Sequence, residues 1–371
     1  MKLLALLHRW TGGIVGVLLA VIGLSGTMLV WEEYWISLPG AEDPLRGDPA
    51  AMGAAVDAAM AVDPALSRIT FADERMGLHQ AIYADGGGAY LTQGAEVVDR
   101  WDSLWGRPEL WLFDLHHYLF LGENGKYVTG GLGLLLIAFA VTGLILWWRT
   151  RRTSRFRLWP ARMTRSAIVR QHRDIGVIAS PILLMSAFTG AMMCFPEVSA
   201  AMLSPWAGLA KEAPALPADL AAPSTDTDWR AAMVNAQAAF PEAAPRRLML
   251  PAAPGAPLAL RLRQDFEWTP NGRTYVWLDP ATADVVATDD PATGDTAAAI
   301  TEKFYPIHAG KVGGFLWHLV LTFSGLTLVL LGTLATWSFW FAGSPRPQAR
   351  RVADAALRSR PSNARNAAEL P

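Results

Sequence analysis

Cysteine and charge are the two things this sequence most lacks. Its 371 residues hold one cysteine, Cys194, and only 18% are Asp, Glu, Lys or Arg. One thiol excludes an intrachain disulfide, a Cys-rich zinc site and a Cys-ligated iron–sulfur cluster. A formal net charge of -1 gives no reason to expect an acidic or basic partner, and no nucleic-acid partner is expected. Histidine is also scarce. The seven are His8, His79, His116, His117, His172, His308 and His318. No glycine-rich GxGxxG fingerprint stands before a helix, so no dinucleotide-binding unit is read.

Apolar residues are abundant, at 52% of the chain. A membrane-crossing helix needs about 20 mostly apolar residues. Four stretches qualify: Trp10–Trp31, Val128–Trp148, Ile175–Phe195 and Phe315–Phe341. The first opens with Lys2 and Arg9, but it is too long for the apolar part of a signal peptide, and WEEYW follows where a small-residue cleavage site would stand. Arg149, Arg151, Arg152, Arg155, Arg157, Arg162, Arg165 and Arg170 crowd the link between the second and third stretches. Arginines recur after the fourth. By the positive-inside rule both segments are cytoplasmic, with the termini, and the lobes at 35–112 and 197–306 lie outside. Trp31, Trp35, Trp147, Trp148, Trp317, Trp337 and Trp340 suit interfacial belts. The expected order is helix 1–34, lobe 35–112, helix 113–148, basic loop 149–170, helix 171–196, lobe 197–306, helix 307–342 and a disordered Ala/Arg/Pro/Ser-rich tail 343–371.

The chain repeats itself. HRWTG at 8–12 matches HRDIG at 172–176, Ser25-Gly26 matches Thr189-Gly190, and Met28 matches Met192. AAVDAAMAVDPALSRITF at 54–71 resembles AAMVNAQAAFPEAAPRRLML at 231–250, each read as short helix, turn and strand. AYLTQGAEVVDRWD at 89–102 and TYVWLDPATADVVATDD at 274–290 each read as a hairpin. LHHYLFLG at 115–122 parallels IHAGKVGG at 307–314. The fold class is therefore a membrane bundle of four helices with two periplasmic α+β lobes, built by internal duplication. Same-topology halves, about 1–160 and 161–345, are related by a pseudo-twofold along the membrane normal.

The repeat sorts the histidines by depth. His8 and His172 fall at the cytoplasmic ends of the first and third helices. His116 and His308 fall near the outer ends of the second and fourth, with His117 and His318 as competitors; depth favours His318 and the repeat favours His308. His79 reads as a surface residue of the first lobe. Two histidine clusters at two depths fit an electron path across the membrane. A haem iron takes one imidazole from each of two facing helices. Gly12, Gly13, Gly16, Ala20, Gly130, Gly131 and Gly133 give room for a flat macrocycle, though glycines also let helices pack closely. Arg9, Arg173 and Arg170 are candidate partners for its propionates. With no CxxCH, attachment would be non-covalent, as in two haem b groups.

LHRWTG at 7–12, FDLHHYLFLG at 113–122, VTGLILWW at 141–148, QHRDIGV at 171–177, FTG at 188–190 and PIHAG at 306–310 together resemble the PepSY-associated transmembrane family. The hairpins YLTQGAEVV and YVWLDPATADVV look like its PepSY element, and the resemblance covers about residues 1–345. Members include di-haem inner-membrane reductases that act on ferric siderophores. The resemblance implies that His8 and His172 hold an inner haem and His116 and His308 an outer one. His117 beside His116, and His318, are departures from the pattern. It also implies a bacterial inner-membrane protein among lipids, and a ferric siderophore or other ferric chelate as substrate, reduced to release Fe(II). The electron donor would be a separate protein or a quinol, since the basic loop is too short to hold a flavin. Trp101, Trp105 and Trp111 are candidates to line the acceptor site. The alternatives are a non-enzymatic membrane protein whose lobes bind or regulate a periplasmic protein, and a cytochrome subunit feeding another reductase.

Overall fold

Lys2 to Val30 holds Lys2 and Arg9 at one end and no charge for the rest of its length, and it folds as one helix, α1. At about 1.5 Å per residue, a helix of 29 residues reaches across a hydrocarbon core. The computed structural model describes residues 1–208, 213–224, 227–251 and 253–341. The tail expected to be disordered, 343–371, lies outside the described residues. Within the first lobe come α2 (Pro49–Val62), β1 (Leu66–Thr70), β2 (Leu78–Tyr83), β3 (Gly88–Thr92), β4 (Val97–Trp101) and α3 (Pro108–Tyr118). The helices α4 (Gly125–Thr150) and α5 (Arg165–Cys194) follow. The second lobe supplies α6 (Trp229–Ala239), β5 (Ala244–Met249), β6 (Leu258–Arg263), β7 (Thr274–Leu278), β8 (Val285–Asp289) and α7 (Phe304–His308), and α8 (Gly314–Trp340) closes the described chain. The helices at 2–30, 122–153, 165–194 and 314–340 are long and apolar enough to cross a membrane.

The two lobes are one sheet. Its order is β4-β3-β2-β1-β5-β6-β7-β8, antiparallel throughout, and the pseudo-twofold falls between β1 and β5. There Ile69 pairs with Leu248, Arg68 with Met249 and Thr70 with Arg247. The helix–strand unit and the hairpin of each half stand where the repeat places them; β2, β6 and the joining of the halves are additions to that expectation. The helices α2 and α6 cover one face, where Val56, Ile69, Leu91, Trp229, Leu248, Leu260 and Val276 form the core. Alternate residues point to the other face, as strand geometry requires.

Each outer histidine segment is a separate short helix, where the sequence reading had one continuous helix. Leu119, Phe120 and Gly122 have positive φ and end α3; Gly310, Gly313 and Gly314, also at positive φ, separate α7 from α8. Glycine takes that conformation without steric cost. The Trp317 indole donates to the Ile307 carbonyl at 2.9 Å and fixes the second break. Lys311, in this turn, donates to Glu32 at 3.1 Å and pairs with Glu33, while Arg75 of the first lobe pairs with Glu33 at 3.4 Å and donates to the Lys311 carbonyl at 3.1 Å. Burial alone would lower the Lys311 pKa; Glu32, Tyr305 and Glu33 outweigh it and raise the pKa. This cluster ties sheet to bundle.

Candidate functional site

The outer pair is set by equivalent contacts in the two halves. His116 Nδ1 lies 3.1 Å from both the Ile22 carbonyl and Ser25 Oγ. His308 Nδ1 lies 3.0 Å from the Ser186 carbonyl and 3.1 Å from Thr189 Oγ1. Ile22 and Ser186, like Ser25 and Thr189, hold the same places in the repeat. A carbonyl only accepts, so each Nδ1 carries the proton and donates. In the neutral ring this leaves the Nε2 lone pair available. Gly26 and Gly190 make room: a Cβ there would stand 2.8 Å from His116 Cε1 and 2.9 Å from His308 Cε1. The two ring centres are 6.1 Å apart. Both rings line a cavity of about 400 Å³ between the helices.

The inner pair repeats the plan at the other end. His8 and His172 have ring centres 6.3 Å apart, with perpendicular planes, and line a second cavity of about 560 Å³. The Thr142 hydroxyl donates to the Ala138 carbonyl at 2.7 Å, so at 2.7 Å from His8 Nδ1 it accepts from that nitrogen. Gly12, with no atom within 4 Å of where a Cβ would be, opens onto this cavity. Gly13, Gly16 and Gly23 seat α1 against α8. Arg9, Arg170 and Arg173 line the inner cavity. Arg173 is already engaged by Asp174 at 2.7 Å and by Thr153, whereas Arg9 lies 5.5 Å over the Phe339 ring with no ion pair among the described residues.

Leu19, Leu136, Leu183 and Leu328, one from each long helix, line both cavities. They form an apolar layer between them. The spacing from His8 to His172 is also that from Leu19 to Leu183, and the spacing from His116 to His308 is that from Leu136 to Leu328. Neither this layer nor the Nδ1 partners were read from the sequence. Ser25 and Thr189 had been noted in the repeat, and their position beside paired glycines was the available signal.

The competing histidines are elsewhere or differently used. His318 lines neither cavity; its Nε2 donates to the Gly310 carbonyl at 2.8 Å, and Trp31 and Tyr34 pack around it. His117 lines the outer cavity but stacks on Phe113 at 4.4 Å. His79 is not a surface residue: it is 1% exposed, accepts the Ala72 N–H at Nδ1, and burial holds its pKa down at about 4. Trp101 is buried in the lobe, Trp105 is exposed against Phe120, and neither they nor Trp111 line the outer cavity.

Two imidazoles thus line an apolar cavity at each of two depths of a duplicated four-helix bundle that carries an antiparallel sheet. The family described as the PepSY-associated TM region matches residues 5–342. The chain belongs to that family. A comparison with curated proteins finds no match. In this PepSY-associated membrane protein, no group of three or more metal-ligating side chains occurs among the described residues. Each pair thus offers two nitrogens, a donor set suited to an iron whose other positions are filled by a macrocycle. His8 with His172, and His116 with His308, would hold such a group between rings whose centres lie 6.3 and 6.1 Å apart.

Proposed function

We propose that this protein is a b-type di-haem cytochrome of the bacterial inner membrane. It carries electrons from the cytoplasmic side to a ferric siderophore or similar ferric chelate on the lobe side. The observation that carries the reading is the paired histidines: each outer ring lines its cavity and is held at Nδ1 by a main-chain carbonyl, which leaves the Nε2 lone pair free to bind a metal. A second-layer hydrogen bond of this kind fixes tautomer and orientation in metal-binding histidines. His8 and His172 would hold the inner haem, and His116 and His308 the outer one. When bound, haem supplies one-electron storage at its iron.

The rest of the work falls to the chain. Arg9 and Arg170 give the inner cavity positive charge suited to propionates. The four-leucine layer gives the space between the sites an apolar lining. The arginine-rich loop at 149–164 lies at the end of the bundle away from the sheet, which supports a cytoplasmic inner end and periplasmic lobes. An acceptor Fe(III) chelate gaining one electron becomes Fe(II), which its chelator holds less tightly. The donor, a separate protein or a quinol, loses that electron.

Purified protein, grown with ample iron, should show a Soret band and sharp reduced α-bands, with two haems per chain. Replacing His8 or His172 by Ala should remove one haem, and replacing His116 or His308 should remove the other. His318→Ala should keep both. Ferric siderophore should reoxidise the reduced protein. A colourless preparation would sink the reading and leave a membrane-anchored protein-binding module; a haem protein that no ferric chelate reoxidises would point to a subunit of another reductase.

A further inference from the structure

One row of side chains crosses the whole sheet. Following the register, it runs Asp99, Tyr90, Gln80, Thr70, Arg247, Arg261, Tyr275, Asp289. The ends match about the pseudo-twofold: Asp with Asp, Tyr with Tyr. The row lies on the face away from α2 and α6. In the first half this face is closed by α3. The Tyr90 hydroxyl donates to Glu109 at 3.0 Å, and Arg107 bridges Glu109 and Asp99 at 2.8 and 2.7 Å. In the second half, arginines stand where the first half has neutral groups, and Tyr275 is only half-buried.

Arg247 and Arg261 are direct cross-strand neighbours. Like charges in that position repel and weaken a sheet. Arg68, two residues from Thr70 on the same face, adds a third positive charge. Arg68 and Arg247 make no ion pair with any described carboxylate; Arg247 donates to Thr70 Oγ1 at 3.0 Å, and Arg261 to the Gly272 carbonyl at 3.0 Å, with Glu267 in electrostatic reach of Arg261 alone. Burial, then Arg68 and Arg261, hold the Arg247 pKa down at about 10. Arg68 lies within electrostatic reach of Tyr118, and Arg247 of Tyr305; both tyrosines line the outer cavity.

We propose that Arg68, Arg247 and Arg261 form a carboxylate-binding seat between the sheet and the mouth of the outer cavity, which takes an anionic, multiply carboxylated ligand. Guanidinium groups suit carboxylates because their paired N–H donors match two oxygens. An arriving anion would also remove the repulsion between Arg247 and Arg261. The carboxylates could come from a soluble ferric polycarboxylate or from the edge of a porphyrin in the outer cavity. The first source deepens the function proposed above by naming its substrate class.

The test uses the full chain in lipid nanodiscs. Equilibrium dialysis measures binding of 55Fe-labelled ferric citrate, with a neutral ferric trihydroxamate as control, and haem per chain is counted in parallel. The Arg68→Gln/Arg247→Gln double variant should bind ferric citrate about tenfold or more weakly, since it loses two charge-assisted donors. Binding should weaken with salt, the trihydroxamate should be indifferent, and Arg68→Lys/Arg247→Lys should retain part of the affinity. If citrate never binds but the Gln variant loses one haem that the Lys variant keeps, the seat stands and its ligand is the porphyrin. If neither citrate affinity nor haem content responds, the seat is refuted. The citrate arm reads equally well on a colourless protein, so failure of the haem reading is separately visible.

Discussion

At the residue scale, His79 shows how burial changes a histidine. Its ring is neutral in the folded lobe, with a pKa of about 4 against an ordinary 6.5. Below 6.5 the unfolded chain takes up a proton that the folded chain refuses until about pH 4. Stability therefore falls as pH drops through this window, by at most about 3 kcal/mol, and is fully present above it. His79→Gln should flatten the dependence of the thermal midpoint on pH between 7 and 4; an unchanged slope would assign it to other groups. The depth of His79 was not legible because β2, LHQAIY, mixes polar and apolar residues without clean alternation. His116 and His308 were legible because the repeat places them together. Distance along a single regular helix favoured His318, but the helix is not continuous: the chain breaks at Gly310, Gly313 and Gly314, and His308 lies beside His116.

At the element scale, the glycines of the long helices divide by function in a way composition cannot show. Gly16 and Gly332 approach each other across the contact between α1 and α8; a Cβ at Gly332 would come 2.3 Å from the Gly16 carbonyl oxygen. Gly332→Val should destabilise the protein by about 1–3 kcal/mol, the usual cost of overpacking. Gly12→Ala, which meets nothing within 4 Å, should change little. Thermal unfolding in one detergent compares the two, and equal loss in both would refute the assignment. The four long helices were legible because about 20 apolar residues admit few other readings. The short helices α3 and α7 were not: the glycines at 310, 313 and 314 are a local breaking signal that the apolar run beyond them masked, while α3 ends at Leu119 and Phe120, which carry no such signal.

At the scale of the whole molecule, the duplication was legible and the union of its halves was not. Strand pairing between β1 and β5 joins residues nearly 180 positions apart, roughly half the chain, and leaves no local mark in either strand. The loop between α4 and α5 lies at the far end of the bundle and contributes no strand. Severing the chain there, at Pro160, and producing the two pieces together should still give an assembled protein that purifies through a tag on either piece. Recovery of only the tagged piece would show that the covalent link is required.

The seam at β1 and β5 has a further meaning. Three residue pairs weld the two hairpin sets into one ladder, so neither set can tilt alone without tearing the hydrogen bonds between β1 and β5. The sheet thus acts as a brace for the end of the bundle that holds His116 and His308, to which the Arg75, Glu33 and Lys311 cluster ties it.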